Sequence, residues 1–109
     1  MGRKIVHQQR LAWDGARVFV AALESDVLYP WLYRRITALL GSPYGEALAD
    51  SRRLVRGPEW DRPFVESAKW RVRLEDLLRY HPELSTELGR LVSDVTFRIS
   101  APGGAAGRG

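Results

Sequence analysis

An all-α fold is the prediction: a small helical bundle of about four helices, followed by a flexible Gly/Ala-rich C-terminal tail. Three observations lead there. Apolar residues recur at three- and four-residue spacing along most of the chain, the period of an amphipathic helix. The runs are divided by Gly41-Ser42-Pro43, Gly57-Pro58, Arg62-Pro63 and His81-Pro82, which are helix stops and starts. The 109 residues, 45% hydrophobic and 28% charged, have the balance of one globular domain rather than of a disordered chain. Three regions follow: residues 1–14, a flexible or partly helical N-terminal segment; residues 15–99, the bundle; and residues 100–109, a disordered tail with no core-forming residue after Ile99.

The opening stretch, MGRKIVHQQRLAWDGARVFVAAL, is basic and then apolar. Its apolar part, Val18 to Leu23, is far shorter than the roughly 18 residues of a spanning helix, so no membrane span is expected. Val6 stands where a myristoylation signal carries Ser or Thr. From Asp26 to Leu40 the helical series is Leu28, Trp31, Leu32, Ile36 and Leu39, with Ser25 or Asp26 as N-cap and Gly41 as the stop. Pro30 disfavours helical geometry at Tyr29, so either a helix begins near Trp31 or a longer one from about Gly15 is kinked at Pro30; the kink is the preferred reading.

Between Tyr44 and Arg56, the positions Tyr44, Leu48, Ser51 and Val55 share a narrow face, widened by Ala47 and Leu54, and Arg52, Arg53 and Arg56 lie opposite. The run from Pro63 to Tyr80 is apolar around more than half its circumference. Phe64, Ala68 and Val72 lie on one side, Trp70, Leu74 and Leu77 on the other, and Glu66, Lys69, Arg73 and Asp76 form a polar stripe. A helix of that kind is contacted by two or more neighbours, which makes it the expected central element. Pro82 suits the first position of a last helix carrying Leu84, Leu88, Leu91 and Val95. Residues 70–95 then read as an antiparallel helical hairpin, with Trp70, Leu74 and Leu77 facing Leu84, Leu88 and Leu91.

The stretches ARVFVAALESDVLYPWLYRRITALLG, ADSRRLV and KWRVRLEDLLRYHPELSTELGRLV together resemble a family of uncharacterised small all-helical domains of actinobacteria. The similarity covers roughly residues 16 to 95 and rests on packing and turn motifs. It implies the helical fold and a link to the signalling motifs of bacterial conflict systems. Family members often continue into a Gly/Asn/Gln-rich segment of the amyloid-signalling type. APGGAAGRG has no Asn, Gln or β-branched residue, so a self-templating role is not implied here.

The residues argue against catalysis, and no enzyme activity is expected. His81 precedes a proline at a helix junction and His7 lies near the terminus; neither has a metal-ligand partner at helical spacing. The acid pairs Glu75/Asp76, Glu59/Asp61 and Glu83/Glu87 suit surface ion pairs and helix starts, with Arg71 four before Glu75 and Arg73 three before Asp76. Glycine-rich phosphate loops and nucleophile elbows are missing from the sequence. No catalytic residue, metal site or cofactor is therefore assigned. Without cysteine nothing points to an oxidising compartment, and a cytoplasmic location is the expectation.

Binding is what remains. Lys plus Arg at 17 exceeds Asp plus Glu at 13, and every basic residue but Lys4 and Lys69 is Arg. Nucleic acid is thus the alternative partner, through Arg52, Arg53 and Arg56 with Arg34 and Arg35. The last helix would meet phosphates with Glu83, Glu87 and Asp94 against Arg90, the wrong sign for a groove reader. The leading expectation is a non-enzymatic protein-protein interaction or adaptor module, whose partner is another protein or a second copy of the chain. Four tryptophans are many for this length, and Trp13 and Trp60, near links, are its candidate exposed anchors.

Overall fold

The computed structural model describes residues 2–100, with side chains from His7 onward. The Gly/Ala-rich tail after Ser100 lies outside the described residues. Within them the chain is a compact all-α globule of five α-helices: α1 (Gly2–Ala22), α2 (Leu28–Leu40), α3 (Ser42–Val55), α4 (Arg62–Tyr80) and α5 (Ser85–Ser100). A short 3-10 turn, Pro82–Leu84, leads into α5.

The fifth helix exists because the chain breaks where a kink was expected. α1 ends at Ala22, and α2 starts at Leu28. Ser25 makes the turn: its Oγ accepts from the amides of Val27 (3.3 Å) and Leu28 (3.0 Å), and its carbonyl accepts from Tyr29 (3.0 Å). Pro30 is therefore the third residue of α2, within the first turn, where backbone N–H groups have no intrahelical acceptor and nothing is lost by their absence. At the other end Gly41 stops α2 as anticipated. Its φ of +105° is open to glycine, and its amide reaches the Thr37 carbonyl at 2.9 Å.

The centre of the molecule is α1, not α4. α1 packs along α4 on one side and α5 on the other, while α2 and α3 pair beside them. The small residues Ala12, Gly15, Ala16 and Ala22 let its backbone approach closely. A Cβ at Gly15 would stand 2.9 Å from Leu74 Cδ1 and 3.3 Å from Val92 Cγ2, so this glycine lies where α4 and α5 meet α1. The expected direct seam between α4 and α5 is accordingly replaced by contacts that both make with α1. Ala12 is buried, and α1 runs through position 14 without interruption, so the segment boundary read there has no counterpart in the helix.

One cluster unites the helices: Phe19, Leu23, Leu32, Ile36, Leu48, Trp70, Leu74, Leu78, Leu88, Leu91 and Val95 are fully buried. Each such side chain contributes about 1.5–3 kcal/mol relative to exposure. Trp70 is the largest, meeting Phe19 edge-on at 6.1 Å between centroids and Tyr44 at 6.5 Å. Leu84, expected to face it, is only partly buried, because the 3-10 turn precedes the regular helix.

Candidate interaction surface

Two features of α4 depart from the sequence expectation and together define the surface. The first is Glu66, placed on the polar stripe, which is only 2% exposed. Its carboxylate accepts from Ser51 Oγ at 2.7 Å and from Lys69 Nζ at 3.1 Å, while Ser51 Oγ in turn accepts from Trp70 Nε1 at 2.9 Å. A buried tryptophan needs an acceptor and a buried carboxylate needs donors; Ser51 on α3 supplies both and locks α3 to α4. This fixes the rotation of α4 about its axis.

The second feature follows from that rotation. With Glu66, Trp70, Leu74 and Leu77 turned inward, the second apolar stripe, Phe64, Ala68 and Val72 at successive intervals of four, is turned out. Phe64 is 72% exposed, and Ala68 and Val72 are exposed as well. The sequence reading gave α4 neighbours on both sides, but among the described residues no other helix covers this stripe. Beside it α1 contributes Trp13, 58% exposed, and Ala16, and between the two helices lies a groove of ≈ 330 Å³. Trp13, Ala16, Arg17, Phe64, Ala68 and Arg71 line it, together with Ser67. Trp60 stands at its edge, 83% exposed, its ring 6.5 Å from that of Phe64.

The candidate anchors Trp13 and Trp60 thus lie on one face, joined by Phe64. The Arg71 guanidinium stacks over the Trp13 ring at 4.8 Å, which holds the indole as a wall of the groove. Charges on this face pair locally: Arg17 with Asp14 at 3.2 Å, Arg71 with Glu75 at 3.8 Å, and Arg62 with Glu59. The hydrogen bond that Arg62 donates to Glu59 raises the Arg62 pKa above its ordinary value, against a smaller effect of burial. The expected pair of Arg73 with Asp76 does not form. Arg73 lies over Trp70 at 5.1 Å, and Asp76 pairs with Arg79 at 3.0 Å.

The arginine edge is arranged differently. Arg52 and Arg56, on or just after α3, both hydrogen-bond Asp26 in the turn before α2, at 2.6 and 3.0 Å. Those hydrogen bonds, Arg56 first and Arg52 second, lower the Asp26 pKa below its ordinary value. Arg52 also lies over the Tyr29 ring at 4.4 Å, and Arg53 pairs with Asp50 at 3.2 Å. Arg35 is drawn away to Asp94 and, like Arg98, lies over the Trp31 ring. Each of Arg52, Arg53 and Arg56 therefore has a carboxylate partner within the chain, and Arg52 and Arg56 clamp the α1–α2 turn onto α3.

His81 closes α4 and lies 3.3 Å from Glu83, while His7 is exposed on α1. Among the described residues no group of three or more His, Asp or Glu side chains is placed to hold a metal ion, and no helix is long and apolar enough to cross a membrane. No match to this chain is found among family models, curated proteins or solved structures.

Proposed function

We propose that the chain is a non-enzymatic protein-interaction module that binds through the face shared by α1 and α4. The carrying observation is the exposed stripe Phe64, Ala68, Val72, bordered by Trp13 and Trp60 beside a groove. Exposed aromatics beside a preformed recess are the usual anchors of protein contacts, and a contiguous apolar patch on a small domain marks an interface. The resemblance to small actinobacterial helical domains supports an adaptor role in signalling or conflict systems as the setting. Nucleic acid loses support, because Arg52, Arg53 and Arg56 are engaged with Asp26 and Asp50, and Arg35 with Asp94.

Photo-crosslinking in cells tests this. A photoreactive side chain at position 60 should give protein adducts, and one at position 53 should not. Nucleic-acid adducts, or an absence of protein adducts from position 60, would count against the proposal.

A further inference from the structure

We infer that the occupant of the α1–α4 groove is a second copy of this chain, docked about a two-fold axis so that Trp60 of each copy enters the groove of the other. This rests on the interaction reading above and specifies its partner. An isologous contact requires one patch to carry both a projection and a recess, offset from each other, since each copy must supply what the other receives. That is the arrangement here. Trp60 projects at one edge with 83% exposure, the groove floored by Ala16 and Ala68 lies at the other, and Phe64 stands between them, touching both. An axis passing near Phe64 exchanges the two features.

Charge does not oppose this occupant. The chain carries a net charge of +4, which would oppose self-association if it fell on the contact surface. On this face, however, Arg17, Arg62 and Arg71 are matched by Asp14, Glu59 and Glu75. A face with equal numbers of both signs repels neither itself nor a neutral surface, and across a two-fold axis its acids and guanidiniums can exchange partners. An acidic peptide or a phosphate backbone would instead require a rim with uncompensated positive charge.

Sedimentation equilibrium on the full chain, from about 1 μM to about 1 mM, covers the range in which interfaces of the smallest class associate. The mass should rise toward that of two chains. Trp60→Ala should weaken the association by about thirtyfold, as loss of a central anchor does. Ala68→Gln, which fills the groove, should weaken it comparably, and Arg53→Gln on the opposite edge should leave it unchanged. Positions 60 and 68 are exposed, so unchanged helicity and melting should show the variants folded. A dimer that survives both substitutions would place the contact elsewhere and overturn the inference. A monomer throughout, with position 60 crosslinking to a different protein, would overturn it while leaving the interaction reading intact. A monomer with no protein adduct at all would overturn both.

Discussion

Trp70, Ser51 and Glu66 act as one unit, so the cost of changing any of them depends on what is left behind. Trp70→Ala removes the largest core side chain and should cost about 3–5 kcal/mol by chemical denaturation. Ser51→Ala deletes only one oxygen but strands the Trp70 indole N–H and a buried carboxylate oxygen. It should cost about 1–3 kcal/mol, more than a surface Ser→Ala change would. A Ser51→Ala loss well below that range would mean that water replaces the hydroxyl. Part of this unit was legible: Trp70 reads as core, and Ser51 falls on the apolar face of its helix. Glu66 was not, because its charge placed it outside when residues were sorted by polarity alone. Its separation of four from Trp70, one helical turn, was the available signal. Asp26 offers a titration. Its pKa is lowered when folded, so the stabilisation from Arg56 and Arg52 is present above the ordinary value of 3.8 and is lost as pH falls through the folded value. Asp26→Asn should therefore reduce the loss of melting temperature seen on acidifying below about pH 4. An unchanged acid limb would remove Asp26 from that account.

The ends of α2 and α4 were legible where Gly41 and Pro82 punctuate, whereas the last helix, expected to begin at Pro82, begins at Ser85 after a 3-10 turn. Ser25 was read as a possible N-cap, but the preferred kink at Pro30 joined α1 and α2, whereas the chain breaks at Ser25 and Pro30 occupies a first turn. The centrality of α1 was harder to see for a different reason. Ala12, Gly15, Ala16 and Ala22 present no large side chain to mark a contact face, yet small side chains are what allow a helix to pass between two others. The glycines give the test. Gly15→Ala gains about 0.5–1 kcal/mol of helix propensity, while Leu74 Cδ1, the end of a flexible side chain 2.9 Å from the new Cβ, moves aside. The two effects should nearly cancel. Gly15→Leu has no such room and should cost about 1–3 kcal/mol or more. A Gly45 Cβ would fall 2.1 Å from Thr37 Oγ1, where α3 meets α2. Gly45→Ala should accordingly destabilise by about 1–3 kcal/mol. Thermal melts read all three, and a Gly15→Leu variant as stable as the parent would contradict the central position of α1.

For the whole molecule, the sequence showed that α4 is apolar on two sides, but only the packing shows which side remains open. Rotating α4 to bury Glu66 and Trp70 leaves Phe64, Ala68 and Val72 outward beside Trp13, while Arg52 and Arg56 are held elsewhere by Asp26. Association through that face should depend little on salt. If phosphates were bound instead, three to five contacts would weaken binding more than about tenfold between about 50 and 200 mM salt. The most direct measurement is an amide-resolved NMR dilution series of the full chain at physiological salt. Shifts that change with concentration should concentrate at residues 13–17 and 60–72 and leave 52–56 unmoved. Spectra that ignore concentration would contradict a second copy as the occupant of the α1–α4 face, and a response instead at Arg52, Arg53 and Arg56 when nucleic acid is added would contradict the assignment of that face as the surface through which this protein acts.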